Sequence, residues 1–266
     1  MKTDNINVCL VPFQITWEDK QLNLDNLKSL LSDVHQDTDL IVIPETFSTG
    51  FPIGKNKDEI RLISERNTGE TIDFIKNLSK SLNMAICGSF VADTGGSLFN
   101  RAFFIEPSGE EYFADKRHLF KPGGEDKIFS AGHKRMLVRY RGWNISMIVC
   151  YDLRFPVWCR NRNNEYDILI AVANWPVSRI KVWDALLQAR ALENQAYVVG
   201  VNCKGIDTNN TSYNGSSAVF SPTGKNITVS MPSNPDMLYA SLSKEKLDEF
   251  RNKFPVWKDA DNFEIL

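Results

Sequence analysis

The sequence lacks long apolar runs and a marked excess of charge of either sign, and each absence excludes a class of protein. No stretch approaches the roughly 20 apolar residues that a helix needs to cross a bilayer, so we expect no membrane-spanning segment. The formal net charge is −2 over 266 residues, and no long basic tract occurs. Such a charge distribution provides no electrostatic reason to expect binding to nucleic acid or to an anionic membrane.

Cysteine and histidine are few and stand far apart. The five cysteines are odd in number, no Cys-x-x-Cys pair occurs, and the three histidines are isolated in sequence. This spacing fits neither a disulfide framework nor a zinc site, although it leaves open a metal site or a cysteine–histidine pair assembled by the fold. Residues 1–5 lack the apolar segment of a secretory signal. We therefore expect free thiols and a cytoplasmic protein.

The sequence does have the composition of an ordinary globular domain, with 42% apolar and 24% charged residues. Apolar, β-rich segments alternate with segments of helical periodicity, and no low-complexity linker divides them. The alternation predicts one layered α/β domain over residues 1–266. Strands are predicted at 6–15, 39–45, 84–91, 99–105, 144–149, 167–173 and 196–202, helices at 20–34, 69–82, 156–163 and 178–194, and a β-meander over 217–242.

The stretch IVCYDLRFP at 148–156 is the strongest functional signal. It places Cys150 at the end of an apolar strand, directly before a polar turn and a predicted helix. Such a junction lies at the carboxyl edge of a sheet, where open α/β folds bind their ligands, and a rigid strand end can hold a nucleophile. The alternative is a buried cysteine that only packs at the strand end.

Glu45 is the candidate base for this thiol. It closes the apolar segment at 40–44, again at the carboxyl edge of a predicted strand. A thiol is only a few per cent ionised at neutral pH, and a neighbouring carboxylate can accept its proton. The alternative is a surface carboxylate, but a glutamate directly after Val-Ile-Pro is an unusual surface residue.

Lys116 and Glu125 lie in a loop after a predicted β-hairpin. The ammonium of Lys116 could stabilise a developing oxyanion and lower the pKa of a nearby thiol, and the backbone N–H of Tyr151 could be a second oxyanion donor. Glu125 follows two glycines that allow its loop to approach a site closely. Taken alone, charged residues in such a loop are usually solvated surface groups.

Three sequence blocks, in this order, resemble the Glu–Lys–Cys signature of the nitrilase superfamily of carbon–nitrogen hydrolases. They are PETF at 44–47, KRHLF at 116–120 and CYDLRFP at 150–156, and the similarity continues in ANWP at 173–176, ARALENQAYV at 189–198, YNGSS at 213–217 and SPTG at 221–224. Each block alone is a weak signal, but together they span nearly the whole chain. Within the superfamily the chain is most similar to the omega-amidases.

The resemblance implies a four-layer αββα sandwich with no metal and no organic cofactor. It implies that Cys150 is the nucleophile and forms a thioester acyl-enzyme, that Glu45 is the general base, and that Lys116 stabilises the oxyanion. Glu125 takes the place of a second carboxylate that orients the lysine and the substrate amide. The chain departs from many relatives at Val157, where they have glutamate, and this departure concerns local helix contacts and fine specificity.

The implied reaction is hydrolysis of the terminal amide of a small dicarboxylic acid monoamide, similar to 2-oxoglutaramate or 2-oxosuccinamate, with release of ammonia. Arg154 could pair with the substrate carboxylate, or it could brace the turn through Asp152 or backbone carbonyls. Asn174 and Trp175, after the next strand, are expected to line the same pocket, although Trp175 could instead belong to the core. The backbone of Tyr151 would face the same substrate.

The alternatives are nitrile or N-carbamoyl hydrolysis with the same triad, and a non-catalytic scaffold that has kept the fold. Reactive side chains at all three catalytic positions argue against the scaffold. Apolar residues at 254–257 and 263–266 would be unfavourable in water, so we expect about the last 20 residues to dock at a subunit interface. The expected partners are thus an amide substrate, water and a second copy of the chain, in a homodimer or a higher even oligomer.

Overall fold

The computed structural model describes residues 5–51, 54–231 and 234–265, which form two large β-sheets with helices on their outer faces. The strands are β1 (Asn5–Leu10), β2 (Leu40–Val42), β3 (Ala85–Asp93), β4 (Leu98–Ile105), β5 (Glu111–Asp115), β6 (Met136–Tyr140), β7 (Trp143–Val149), β8 (Ile168–Ala173), β9 (Tyr197–Asn202), β10 (Lys204–Ile206), β11 (Ser212–Asn214), β12 (Ala218–Phe220), β13 (Val229–Met231) and β14 (Asn234–Ser243). The helices are α1 (Lys20–Leu31), α2 (Lys57–Ile63), α3 (Glu70–Leu82), α4 (Glu125–Ile128), α5 (Pro156–Cys159), α6 (Ile180–Asn194) and α7 (Lys244–Lys253).

Parallel strands lie at the centre of each large sheet. The first sheet has the order β13-β14-β1-β2-β3-β4-β5 and the second β12-β9-β8-β7-β6, while β10 and β11 form a separate hairpin. Strands β1, β2 and β3 are parallel in the first sheet, and β7, β8 and β9 are parallel in the second. Because parallel strands end at the same edge, the residues that follow β7 and β8 are neighbours at a carboxyl edge, where α/β sheets bind ligands.

The burial of alternate side chains shows why the two sheets pack face to face. Strand β8 is apolar throughout, and its successive side chains enter two different cores. One set packs in the core between the two sheets, whereas the other packs under helix α6; the two sets are Ile168, Ile170 and Val172, and Leu169, Ala171 and Ala173. A strand with helices on one side and a second sheet on the other requires apolar residues on both faces.

Helices α1 and α3 cover the outer face of the first sheet in the same way. Helix α1 begins after Asp19, whose carboxylate accepts a hydrogen bond from the backbone of Leu22 at 3.0 Å and so caps the helix. Its buried side chains Leu24, Leu27 and Leu31 join the core on that face. The layers are therefore helix, sheet, sheet and helix, and the predicted αββα sandwich is confirmed.

Several predicted elements differ from the structure. The β-meander over 217–242 is wrong, because β12 pairs with β9 in the second sheet whereas β14 pairs with β1 in the first. Periodicity cannot reveal this crossing, since both segments read as short apolar strands. The helix predicted at 156–163 has only the single turn α5, preceded by a 3-10 turn at Cys150–Arg154. Helices α2 and α7 and strand β6 were not predicted from the sequence.

The chain end lies against its own domain. Trp257, Phe263 and Ile265 are half-buried, and Ile265 packs on the core beneath α6. Leu266, the last residue of the predicted docking segment, lies outside the described residues. Among the helices that the structure describes, none is long and apolar enough to cross a membrane.

Candidate active site

One pocket, with a volume of about 340 Å³, collects the candidate residues from both sheets. Glu45 follows β2 and Lys116 follows β5 in the first sheet, while Cys150 follows β7 and Asn174 follows β8 in the second. Residues more than a hundred positions apart thus meet because the carboxyl edges of the two sheets face the same space. The hairpin that precedes Lys116 is formed by β4 and β5, as predicted.

Lys116 is held between two carboxylates in the interior of the protein. Its Nζ lies 3.0 Å from Glu45 Oε1 and 2.9 Å from Glu125 Oε1, and all three side chains are buried. Two carboxylates this close would repel each other strongly, and the intervening ammonium compensates that repulsion. The predicted association of Glu45, Lys116 and Glu125 is therefore present in the structure.

Asn100 connects the same two carboxylates, and sequence reasoning missed it. Its Nδ2 donates to Glu45 Oε1 at 2.7 Å and lies 3.3 Å from Glu125 Oε1. Its Oδ1 accepts a hydrogen bond from Ser89 Oγ at 3.0 Å, so the orientation of the amide is determined. The available signal was an asparagine within the largely apolar strand β4, at a buried position that needs a hydrogen-bond partner.

The turn after Glu45 is held in a strained conformation. Thr46 has a φ of +43°, which is costly for a β-branched residue. Its backbone N–H donates to Ser89 Oγ at 2.8 Å, and its hydroxyl accepts from Asn174 Nδ2 at 3.0 Å. The backbone N–H of Asn174 in turn donates to Glu45 Oε2 at 2.8 Å. These bonds hold the Glu45 carboxylate in one position relative to the second sheet.

Cys150 also lies at a sharp backbone turn, with a φ of +48°. The turn is braced by Asp152, whose Oδ2 accepts from the backbone of Val149 at 3.2 Å. Asp152 Oδ1 lies 2.8 Å from both the backbone N and the ring Nδ1 of His118, and that ring stacks on Phe155 with the centroids 3.7 Å apart. Asp152 therefore joins the turn of the thiol to the loop that follows Lys116.

The electrostatic surroundings keep the thiol protonated and the lysine charged. Burial raises the pKa of Cys150 well above its ordinary value, the charge of Glu45 and a hydrogen bond to it act in the same direction, and Lys116 opposes them. Burial alone would lower the pKa of Lys116, but the charges of Glu125 and Glu45 outweigh it, so that the pKa is raised. Burial raises the pKa of Glu125. The expectation that Lys116 lowers the thiol pKa is correct in direction but is outweighed.

Aromatic rings and two arginines form the rest of the pocket wall. The guanidinium carbon of Arg154 lies 5.0 Å from the ring centroid of Trp175, and that of Arg179 lies 5.4 Å from the ring centroid of Phe120. Arg154 makes no ion pair with Asp152, so one of the two ways in which it could brace the turn is not used. The remaining lining residues include Phe51, Tyr151, Pro176, Thr211 and Tyr213.

Trp175 is both a core residue and a pocket residue. It is buried, and its backbone N–H and C=O bond to the side chain of Asn202 at 2.7 and 2.8 Å. Its indole Nε1 donates to the carbonyl of Arg179 at 2.9 Å. The side chain of Asn202 thus fixes the backbone of Trp175, a role that no motif in the sequence indicated.

All eight predicted site residues lie at this pocket, seven as lining residues and Glu125 directly behind Lys116. Sequence reasoning missed Asn100 and Arg179. Over residues 5–51, 54–231 and 234–265, no group of three His, Cys, Asp or Glu side chains is arranged to hold a metal ion.

Comparison with known proteins places this geometry in a family. The family model of the carbon-nitrogen hydrolases matches residues 7–252. The chain is 38% identical over 260 residues to the omega-amidase YafV of Escherichia coli (strain K12), covering 98% of both chains. It is 26% identical over 257 residues to a 2-oxoglutaramate amidase of Bacillus subtilis (strain 168), covering 95% of this chain and 96% of the other.

The similarity extends to a solved structure. A CN-hydrolase superfamily protein from Xanthomonas campestris, whose crystal structure has an arsenic adduct in the active site, is similar with a TM-score of 0.92 at 36% identity. The match covers 98% of this chain and 99% of that one. Glu45, Lys116 and Cys150 all fall inside the segment that the family model matches. The chain therefore belongs to the carbon–nitrogen hydrolase family, within its omega-amidase branch.

Proposed function

We propose that this amidohydrolase cleaves the terminal amide of a small dicarboxylic acid monoamide, of the 2-oxoglutaramate or 2-oxosuccinamate type, through a thioester on Cys150. The observation that supports this substrate class is the guanidinium of Arg154. It lies in the same pocket as the thiol, over the ring of Trp175, and has no acidic partner among the residues that the structure describes. A planar cation in such a position suits a substrate carboxylate.

In the proposed first half-reaction, the acyl group of the substrate is transferred to Cys150 and ammonia is released. Glu45 takes the thiol proton as the sulfur attacks the amide carbon, because the raised pKa of the thiol keeps it neutral until substrate binds. The oxygen of the tetrahedral intermediate is stabilised by the Lys116 ammonium and the backbone N–H of Tyr151. The C–N bond then breaks, and the leaving nitrogen takes the proton from Glu45.

In the second half-reaction, water hydrolyses the thioester. Glu45 accepts a proton from the water, whose oxygen attacks the thioester carbon. The C–S bond breaks, and the sulfur recovers the proton from Glu45, which regenerates the starting enzyme. Glu125 keeps Lys116 in position through their 2.9 Å contact and touches neither reacting atom.

A substrate panel tests the proposal. Purified enzyme is assayed for ammonia release from 2-oxosuccinamate, succinamate, butyramide, butyronitrile and an N-carbamoyl amino acid. We expect the two acid-bearing amides to have the highest kcat/KM, and Arg154→Lys to raise KM for them by about ten- to a hundred-fold with much less change for butyramide. Faster turnover of the nitrile or the carbamoyl compound, or an equal loss on all amides, would contradict the proposal.

We also propose a homodimer located in a reducing cytoplasm. Exposed apolar side chains on the helical layer over the second sheet would be covered by a second copy; they are Val157, Val177, Val182 and Leu192. All five cysteines are free thiols, which suits a reducing compartment. Sedimentation at micromolar concentration that detects only a species of the chain mass, 30.3 kDa, would rule out the dimer, and recovery in the membrane or secreted fraction would rule out the location.

A further inference from the structure

A second arginine, Arg179, lies across the mouth of the same pocket. It ends the 3-10 turn at Val177–Arg179 that precedes α6, on the second sheet's side. Its guanidinium contacts the ring of Phe120, which follows Lys116 on the first sheet's side. The side chain thus reaches from one wall to the other, and its backbone is held by the bond from Trp175 Nε1 to its carbonyl.

The cations of the pocket fall into two kinds. Lys116 lies at the reacting centre and its charge is already balanced by two carboxylates, so it does not serve the distal carboxylate of a substrate. Arg154 and Arg179 each contact an aromatic ring, and over the described ranges neither guanidinium has an ion pair or a side-chain hydrogen bond. A guanidinium that lies over an aromatic ring can still donate hydrogen bonds from its N–H groups to an anion.

We infer that Arg179 is a specificity-determining residue that binds the distal carboxylate of the substrate together with Arg154. A carboxylate has about four acceptor positions on its two oxygens, so two guanidinium groups can bind it at once. Arg154, four residues after Cys150, would bind the inner side of the carboxylate, and Arg179, which is exposed at the rim, the outer side. This inference rests on the proposed function, because it requires a substrate with an acid group at the end far from the amide.

Arg179→Gln tests the inference, with Lys181→Gln as its matched control. Lys181 is an exposed cation two residues further along α6 and does not line the pocket. Glutamine keeps the backbone carbonyl that Trp175 uses, so the loop should keep its shape. We expect Arg179→Gln to raise KM for 2-oxosuccinamate and succinamate by about tenfold, with kcat within about twofold. Butyramide turnover and all kinetics of Lys181→Gln should stay unchanged.

Ionic strength and a conservative variant provide readouts that a purely structural role would not affect. Because Arg179 is exposed, its attraction for an anion is screened by salt. The KM of the wild-type enzyme for succinamate should therefore rise between about 0.05 and about 0.5 M salt, and this rise should be smaller in Arg179→Gln. Arg179→Lys keeps the charge without the planar fork and should recover part of the lost affinity.

The outcomes separate this inference from the proposed function. If the wild-type enzyme does not prefer succinamate over butyramide, the proposed function fails and the role of Arg179 fails with it. If the wild-type enzyme has that preference and Arg179→Gln retains it, only the inference about Arg179 is overturned. An equal loss on charged and neutral amides would also overturn it, because it would indicate a disturbed Trp175 loop.

Discussion

Two clusters of charged side chains, each built around a buried carboxylate, have similar chemistry but different surroundings. The first consists of Glu45, Lys116 and Glu125 beside Cys150. The second consists of Asp167, Lys244 and Arg251, and it attaches α7 to the beginning of β8. Arg251 Nη1 and Lys244 Nζ lie 2.8 and 2.9 Å from the same oxygen of Asp167.

The two clusters differ in their position relative to the pocket. The remaining donors of Arg251 bond to the carbonyls of Gln195 and Tyr166 at 2.9 and 2.8 Å, and no member of the second cluster lines the pocket of Cys150. The first cluster borders the pocket that holds the half-buried thiol of Cys150. Removing one partner from either cluster would weaken the compensation of a buried carboxylate and so destabilise the fold. A loss of stability therefore cannot distinguish the two clusters, whereas a loss of activity can.

The largest effect is expected at the thiol itself. Cys150→Ala should reduce ammonia release to background, a loss of more than about 10⁴-fold, because no other nucleophile takes its place. Cys150→Ser should be nearly as inactive. The thermal unfolding midpoint should change little, since a methyl group replaces a group of similar volume. Substantial turnover by the alanine variant would falsify the proposed mechanism.

Glu45→Gln tests the base in the first cluster. Glutamine keeps the shape and the acceptor oxygen but cannot take a proton, so kcat should fall by about 10²–10⁴-fold. The matched control is Glu65→Gln, a carboxylate of the same type that contacts Lys20 and Thr71 outside the pocket. Turnover near the wild-type rate in Glu45→Gln would reject its role as the base.

Arg251→Met should have the opposite profile. Loss of the guanidinium leaves Asp167 paired with Lys244 but removes the donor to the carbonyls of Gln195 and Tyr166, so the free energy of unfolding in urea should fall by about 1–3 kcal/mol. The kcat per folded molecule should stay within about twofold of wild type, because Arg251 is remote from the pocket. Lys253→Met, an exposed position on the same helix, is the control and should change neither quantity. A large loss of kcat in folded Arg251→Met would show that the two clusters are coupled.

The smallest effect concerns the reactivity of the thiol and has a counter-intuitive sign. Because the pKa of Cys150 is raised, its rate of alkylation by iodoacetamide should increase by about tenfold per pH unit from pH 7 to 9 without a plateau. In Glu45→Gln the negative charge that helps to raise this pKa is absent, so alkylation at pH 7 should be several-fold faster although hydrolysis is lost. A plateau near pH 7 in the wild-type enzyme would indicate a preformed thiolate.

The predictability of the site differed between its parts. Glu45 and Cys150 were found from the sequence because each ends an apolar strand, and a strand end can be read from local periodicity. Lys116 and Glu125 are in a loop, where a charged residue is usually solvated, and the resemblance to a known family was needed to select them. Asn100 and Arg179 were missed since their importance depends on contacts across 25 to 55 residues of chain or across the pocket.

The fold, like the site, could be predicted from the sequence only in part. The order of most strands and helices follows from the alternation of apolar segments, because side-chain burial has a period of two in a strand and 3.6 in a helix. The assignment of β12 and β14 to different sheets does not follow, since pairing depends on the partners that the chain offers elsewhere. Helix α7 is polar over most of its length and is held by Leu247 and by the Asp167 cluster, so its own sequence carries a weak helical signal.

The sequence by itself therefore determined the class of the fold, the strand ends that bear Glu45 and Cys150, and the family. Only the tertiary structure decided which cations are paired with acceptors of the protein and which are left for a substrate carboxylate. Lys116, Arg154, Arg179 and Arg251 are all cations in the sequence, but Lys116 and Arg251 bond to acceptors of the protein, while Arg154 and Arg179 lie over aromatic rings at an open pocket. The physical reason is that the effect of a charge depends on its distance to other charges and on its access to water, and both are set by the packing of the two sheets.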